Sequence, residues 1–137
     1  MKKRTPVSKI MTANPISVNL SNDINDVVQI FKERNIHHLP VVSGEELIGM
    51  ISKTDIDRIS YVDSYGGSEA NTVVYEMLKL EQVMSKQLET IQADDQIKEA
   101  AELLARGQYH ALPVMEGEKL MGIVTSTDVI NYLLEQF

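Results

Sequence analysis

The chain contains no cysteine, which excludes disulfide bonds, thiolate zinc sites and a cysteine nucleophile. It also has fewer basic than acidic residues: 13 Lys and Arg against 20 Asp and Glu give a net charge of −7, whereas nucleic-acid-binding surfaces are usually basic. No apolar run approaches the ~18 residues of a membrane span, and no apolar segment follows the charged N-terminus as in a secretory signal. We expect a cytoplasmic protein with neither nucleic acid nor membrane as partner.

One stretch of the sequence occurs twice. The first copy, HHLPVVSGEELIGMISKTD, runs from His37 to Asp55, and the second, HALPVMEGEKLMGIVTSTD, runs from His110 to Asp128. The copies align without a gap at an offset of 73 positions. Self-similarity at a fixed offset indicates a tandem duplication. We therefore assign repeat 1 to residues 7–60, a connector to 61–80 and repeat 2 to 81–136.

Each repeat has the same pattern of predicted elements. In repeat 1 a short helical lead-in precedes a very short strand at 16–18, and an amphipathic helix begins near Ile24. Two apolar runs at 39–42 and 47–51, joined through Gly44, predict a hairpin. A second helix follows at once. The order β-α-β-β-α, repeated, predicts a mixed α/β (α+β) fold.

Four further predictions concern the rest of the chain. Residues 63–68 have the composition of a loop, and 73–80 have a helical pattern. In repeat 2, Asp94 and Asp95 are predicted to cap the helix that follows. The final helix should bury an apolar face, which often also marks a subunit contact; it consists of Ile130, Leu133, Leu134 and Phe137.

The segments Ser52–Asp55 (SKTD) and Thr125–Asp128 (TSTD) have the S/T-x-x-D form of a capping box. One interpretation is structural: each aspartate is an acid in the first turn of a helix. The other is functional, because a carboxylate can accept hydrogen bonds from both hydroxyls of a ribose. Both remain open for Asp55 and Asp128.

The two LPV segments, Leu39–Val41 and Leu112–Val114, each followed by G-x-x-[ST]-x-[ST]-D, resemble the CBS (cystathionine β-synthase type) domain. The resemblance covers about residues 7–135. It implies a Bateman module, in which two CBS repeats pack sheet to sheet about a pseudo-two-fold axis with two clefts between them. It also implies a homodimer and a regulated protein in trans.

The resemblance further implies that the clefts bind AMP, ADP, ATP or S-adenosylmethionine, as in energy sensing, without a catalytic cofactor. By the family pattern, the aspartates contact ribose, the hydroxyl residues hold phosphate or ribose, and the first strand reads the adenine edge. The implied nucleotide-binding residues are Ile16, Val18, His38, Ser52, Lys53, Thr54 and Asp55 in repeat 1, and Thr90, Ile91, His110, Thr125, Thr127 and Asp128 in repeat 2.

The histidines do not predict a metal site. His37 and His38 are adjacent on a predicted strand, so their side chains point to opposite faces, and no H-x-x-x-H spacing occurs. His110 corresponds to His37, while Ala111 replaces His38, which predicts two unequal clefts. Lys53, where repeat 2 has Ser126, makes the first cleft more favourable to phosphate.

No catalytic motif is found: the sequence has no nucleophile elbow, phosphate-binding Gly-rich loop or zinc helix. We therefore expect no enzyme. Two hypotheses remain, a regulatory module that senses an adenosine ligand and a scaffold or dimerisation module with empty or vestigial clefts. Ligand binding distinguishes them.

Overall fold

The computed structural model describes residues 4–60 and 67–137. A 3₁₀ turn at Val7–Lys9 comes first, and six strands and six α-helices follow within the described residues. In chain order they are β1 Thr12–Ala13, α1 Ile24–Glu33, β2 His38–Ser43, β3 Glu46–Ser52, α2 Lys53–Ile59, α3 Gly67–Met77, α4 Leu80–Val83, β4 Ile91–Gln92, α5 Ile97–Ala105, β5 Ala111–Glu116, β6 Lys119–Thr125 and α6 Ser126–Glu135. The predicted mixed α/β fold is confirmed.

The chain forms two compact units that do not follow the sequence repeats. One unit is Ile16–Gln87, and the other combines Met1–Pro15 with Leu88–Phe137. The lead-in of repeat 1, residues 5–12, therefore lies in the unit that holds the body of repeat 2. The equivalent lead-in of repeat 2 is residues 78–85, at the offset of 73 positions, and it lies in the unit that holds the body of repeat 1. We call these units A, for 16–87, and B, for 1–15 with 88–137.

Unit A is built around the antiparallel hairpin of β2 and β3. Its turn places Gly44 at a φ of 63°, a left-handed conformation that glycine adopts without steric cost. Asp23 caps α1, because its carboxylate accepts from Asp26 N at 2.8 Å. The apolar faces of these elements pack together around the fully buried Ile24, Leu39 and Ile51, which supplies the main hydrophobic stabilisation of the unit.

Unit B repeats this arrangement in matching register. Its hairpin of β5 and β6 turns at Gly117, with a φ of 61°. β4 pairs with β5 in parallel, and β1 pairs with β6 antiparallel. Val7, from the lead-in of repeat 1, is fully buried in the core of this unit beside Leu112 and Val124.

Glycine at the centre of each hairpin admits the lead-in. A Cβ on Gly49 would lie 2.6 Å from Met84 Sδ, and one on Gly122 would lie 2.6 Å from both Met11 Sδ and Thr12 O. Met84 and Met11 therefore fill the space above these two glycines. Hydrogen bonds between Met50 and Ser85, in both directions at 2.8–3.0 Å, fix the second lead-in on β3.

The connector helix differs from its prediction. The helical pattern at 73–80 predicted an element that begins at Val73, but α3 begins at Gly67 and ends at Met77, and Leu80 belongs to α4. Of the predicted loop at 63–68, residues 63–66 lie outside the described residues, and 67 and 68 are helical. α3 packs against α1, and its Tyr75 is buried in the core of unit A and hydrogen-bonds with Ser60.

The predicted cap of α5 is wrong. Gln96, not Asp94 or Asp95, is the residue that precedes the helix, and its N–H donates to Glu99 Oε2 at 3.3 Å. Asp95 instead accepts from Gln92 N at 2.9 Å and closes the turn after β4. The prediction failed because an aspartate suits a turn as well as a helix cap, and Asp95 takes part in the turn.

The prediction that α6 buries Ile130, Leu133, Leu134 and Phe137 is also wrong. These side chains are exposed, Leu134 by 65% and Phe137 by 97%. Val129 is the buried residue of α6, and Tyr132 donates a hydrogen bond to Thr5 Oγ1 at 3.2 Å. α6 therefore turns its Val129 side to the core. Three exposed apolar side chains of α6, together with the one at residue 137 just after the helix, form what we call the α6 stripe: Ile130, Leu133, Leu134 and Phe137.

Candidate functional site

The SKTD segment lies at the junction of β3 and α2 in unit A. Ser52 ends the strand and caps the helix, and its hydroxyl oxygen accepts from Asp55 N at 3.1 Å. The Asp55 carboxylate returns a bond through Oδ2, which accepts from Ser52 N at 2.8 Å. This is the reciprocal capping box predicted from the sequence. Asp55 Oδ1 also pairs with the Arg58 guanidinium at 3.3 Å.

The TSTD segment lies at the equivalent junction of β6 and α6 in unit B. Asp128 Oδ2 accepts from Thr125 N at 2.8 Å and from Thr125 Oγ1 at 3.1 Å. Asp128 N donates in turn to Thr125 Oγ1 at 3.3 Å. The geometry therefore confirms the structural role of both aspartates, and it leaves their side chains half-buried at the surface of each unit.

The remaining motif side chains lie at the start of the same helices. Lys53 and Thr54 are the first residues of α2, and both are exposed. Thr127 is exposed at the equivalent position of α6. The structure thus brings the predicted polar residues of each repeat together, and each set lies within one unit.

The predicted adenine-reading segments lie beside β2 and β5. Val18 forms an isolated parallel bridge to Val41, with Val18 N donating to Pro40 O at 3.0 Å and Val42 N to Val18 O at 2.8 Å. Ile91 has the same relation to Val114 in unit B. Val18 and Ile91 are buried, whereas Ile16 and Thr90 are exposed. No hydrogen bond to the peptide groups of Ile16 or Thr90 is found within residues 4–60 and 67–137, so these groups remain available to a ligand.

The predicted histidines occupy different places in the two units. His38 is half-buried at the start of β2 and lies opposite Ser52 in the strand register. The residue opposite Thr125 is Ala111, while His110 precedes β5 and is exposed. His38 is therefore next to its motif hydroxyl, and His110 is one position away from that register.

Across the described ranges, no group of three or more His, Asp or Glu side chains is placed to hold a metal ion. In the same part of the chain, no helix has both the length and the apolar character needed to cross a bilayer.

The pairing of Asp55 with Arg58 was not predicted. The signal was present, because acid and base three residues apart face each other on a helix. The repeat offset places Asn131 at the equivalent position of α6, so the second aspartate has no such partner.

The chain is similar to known proteins along most of its length. Residues 7–61 and 80–135 match the model of the CBS domain family. The chain is 30% identical to homoserine O-acetyltransferase of Methanohalobium evestigatum over 97% of its own length, but it spans only 25% of that enzyme.

Solved structures share the fold. CBSX2 in complex with AMP superposes with a TM-score of 0.79 at 22% identity, covering 96% of this chain and 97% of that one. The CBS domain pair of protein MJ0100, in complex with 5′-methylthioadenosine and S-adenosyl-L-methionine, superposes with a TM-score of 0.78 at 24% identity, covering 97% and 98%. With both repeats matched by the family model, the chain belongs to the CBS domain family.

Proposed function

We propose that this protein is a regulatory module that binds adenosine-containing ligands at its two motifs. The observation that carries the proposal is the repeated S/T-x-x-D junction, which places a half-buried carboxylate and two hydroxyl residues at the surface of each unit. Proteins of the same fold have been solved in complex with AMP and with S-adenosyl-L-methionine, and these complexes support the choice of ligand.

The motif residues divide the recognition of such a ligand. A carboxylate oxygen of Asp55 or Asp128 accepts from the ribose hydroxyls, as an acidic residue does in dinucleotide folds. The exposed Thr54 and Thr127 hydroxyls and Lys53 reach the phosphate or ribose. The unpaired peptide groups beside Val18 and Ile91 read the adenine edge, since an adenine presents both donors and acceptors there.

We further propose that occupancy is signalled to a separate protein in the cytoplasm. The chain corresponds to one quarter of a larger acetyltransferase, which supports a role for this module next to a catalytic protein rather than as the catalyst. Signalling requires that the ligand bind two states of the module with different affinity. The regulated partner would recognise one of those states.

The α6 stripe supports a homodimer. Leu134 and Phe137 are 65% and 97% exposed, and exposed apolar patches of this kind often mark protein contacts. A second copy presents the same stripe, so a two-fold pairing would cover both faces with like residues. We propose that the packing of this dimer is what differs between the ligand-bound and the ligand-free states.

Thermal unfolding against AMP, ADP, ATP with and without magnesium, S-adenosylmethionine and NAD tests the ligand proposal. A ligand at one hundred times its Kd adds about 2.7 kcal/mol of stability, which raises the Tm of a chain of this size by roughly 5–15 °C. We expect such a shift for at least one adenosine ligand, lost in Asp55→Ala or Asp128→Ala.

Flat curves with the whole panel at millimolar concentration would favour the scaffold function instead. One observation already agrees with that alternative: both oxygens of Asp55 are engaged by the protein itself, by Ser52 N and by Arg58. In a scaffold the motif would serve only to start the helix.

A further inference from the structure

The SKTD and TSTD motifs form the same kind of capping box but differ in which polar group remains without a hydrogen bond in the described part of the chain. One motif leaves a donor, and the other leaves an acceptor. In unit A the carboxylate of Asp55 is used on both oxygens, by Ser52 N at 2.8 Å and by Arg58 at 3.3 Å. The Ser52 hydroxyl accepts from Asp55 N, and its own proton is donated to no group within the described ranges. Unit A therefore offers a hydrogen-bond donor at its motif.

Unit B shows the reverse. The Thr125 hydroxyl donates to Asp128 Oδ2 at 3.1 Å, so its proton is already used. Asp128 Oδ1 accepts from no group among residues 4–60 and 67–137. Unit B therefore offers a carboxylate oxygen, which is an acceptor and carries negative charge.

Cationic side chains strengthen this difference. Lys53 is exposed at the first position of α2, and the Arg58 side chain is 71% exposed. The equivalent residues of α6 are Ser126 and Asn131, both neutral. The motif of unit A thus carries two exposed cationic side chains, and the motif of unit B carries neutral residues at these positions.

Arg58 links the charge of a ligand to the availability of Asp55. The Arg58 side chain is 71% exposed, whereas the Asp55 side chain is 16% exposed. Because the guanidinium lies in solvent, its pairing with Asp55 is weak, and it can leave Asp55 for a phosphate, which it binds through two parallel hydrogen bonds. That movement frees Asp55 Oδ1 to accept from a ribose hydroxyl. A nucleoside without phosphate gives Arg58 no new partner and must compete with it for the carboxylate.

We propose that the two motifs take ligands of different charge. The unit A motif binds nucleoside 5′-phosphates, with Ser52, Lys53 and Arg58 as the specificity-determining donors. The unit B motif binds ribonucleosides whose 5′ substituent is neutral or cationic, through Asp128 Oδ1. This assignment rests on the proposed adenosine-binding function and divides its ligand classes between the two repeats.

The test is a titration of the ¹⁵N-labelled full chain with AMP and, separately, with adenosine. The amide signals of Thr54 and Thr127 report which motif is occupied. At Thr54 we expect AMP to bind at least about tenfold more tightly than adenosine, the size of one hydrogen bond to a charged group. At Thr127 we expect adenosine to bind at least as tightly as AMP. Salt at about 0.5 M should weaken the AMP response at Thr54 and leave adenosine at Thr127 unchanged.

Exchange of the residues between repeats supplies matched controls. Lys53→Ser with Arg58→Asn should abolish the AMP preference at Thr54, and Ser126→Lys with Asn131→Arg should create one at Thr127. Three of these positions are exposed and Ser126 is half-buried, so the variants should fold, and their Tm values verify it.

The possible failures are distinguishable. Equal affinities of AMP and adenosine at both motifs, or preferences that survive the exchange, would overturn the assignment and leave the proposed function standing. No response of either amide to either ligand at millimolar concentration would overturn the proposed function, and the assignment with it.

Discussion

Asp55 and Asp128 meet two demands at one position in each repeat. Each accepts from the backbone N–H at the start of its helix, at 2.8 Å in both units, and each is proposed to accept from a ribose. The two roles use different oxygens of the same carboxylate. A helix start can therefore serve as a binding site without losing its cap, provided that the second oxygen is free or can be released.

Replacement of either aspartate by alanine should separate the two roles. We expect Asp128→Ala to lower stability by about 1 kcal/mol, the size of a capping interaction, and to weaken adenosine-ligand binding at that motif at least about tenfold. Urea denaturation and isothermal titration measure these effects.

Asp26→Ala is the matched control, because Asp26 Oδ2 accepts from Asp23 N at 3.0 Å in an equivalent capping box outside the motifs. It should cost similar stability and leave binding intact. If Asp26→Ala weakened binding as strongly as Asp128→Ala, the effect would belong to stability and not to recognition.

Alanine at Gly49 and Gly122 should destabilise the protein to different extents. Both added Cβ atoms meet a methionine Sδ at 2.6 Å, but the Cβ at Gly122 also meets Thr12 O at 2.6 Å, whereas the nearest backbone atom to Gly49 is 3.1 Å away. Overpacking costs roughly 1–3 kcal/mol, and we expect Gly122→Ala at the upper end because backbone yields less than a flexible side chain.

Chemical denaturation of single and double variants tests the cause. Met84→Ala should largely relieve Gly49→Ala, and Met11→Ala should relieve Gly122→Ala only in part, since Thr12 O remains. Equal relief in both pairs would show that the backbone contact is unimportant.

The lead-in segments are the elements that join the two repeats. Val7 is fully buried in unit B, and Leu80, its equivalent at an offset of 73 positions, is 2% exposed in unit A. Each lead-in is thus part of a core formed by the other repeat's strands and helices. Loss of a lead-in side chain is expected to weaken the unit in which it is buried.

Val7→Ala and Leu80→Ala form a reciprocal test. Large-to-small core substitutions cost about 1–3 kcal/mol for valine and 2–5 kcal/mol for leucine. With Val7→Ala, amide hydrogen exchange should accelerate more in β5 and β6 than in β2 and β3, and Leu80→Ala should do the opposite. A pattern that followed the sequence repeats, with Val7→Ala opening β2 and β3, would contradict the division into units.

The sequence predicted the hairpins, the capping boxes and α1 because these depend on neighbours along the chain. Turn and capping conformations depend on the residue itself and on its near neighbours, as for Gly44 in the hairpin turn and for Ser52 and Asp55 in the capping box. The partner of each lead-in could not be predicted, since an apolar face at Val7 indicates burial but not in which repeat. The burial of the α6 stripe was predicted wrongly for a related reason. The i, i+3, i+4, i+7 spacing identifies an apolar face, but it does not show whether the same chain covers that face.

For the candidate site, the sequence supplied the residue types and the structure supplied their hydrogen bonds. Ser52, Asp55, Thr125 and Asp128 were placed correctly at two helix starts. What the sequence could not provide is which oxygen of each carboxylate is occupied, because that depends on Arg58 in one unit and on a hydroxyl rotation in the other.

Self-association of the protein depends on its exposed apolar side chains and not on its core. The α6 stripe exposes three large apolar side chains of the helix and Phe137 just beyond its end, and we have proposed that a second copy covers it. Burial of a leucine or phenylalanine side chain is worth roughly 1.5–3 kcal/mol. Pairing of two such stripes therefore has a sufficient driving force.

Leu134→Glu should dissociate this dimer without unfolding the chain, since residue 134 is 65% exposed and a charge there is costly only when a partner covers it. Analytical ultracentrifugation should show a dimer for the unmodified chain and a monomer for the variant. Glu135→Lys, a charge change at an exposed neighbour on the same helix, is the control and should stay dimeric. If the unmodified chain and the Leu134→Glu variant were both monomeric, the proposed dimer would be refuted.

The exchange of lead-ins bears on how such a chain could have arisen. In this chain the lead-in of each repeat packs on the strands and helices of the other repeat. A repeat on its own would therefore lack the methionine that fills the space above its hairpin glycine. Before the duplication, two identical chains would have had to trade these segments to complete both cores. In a single chain that carries both repeats, the exchange of lead-ins is intramolecular and does not depend on protein concentration.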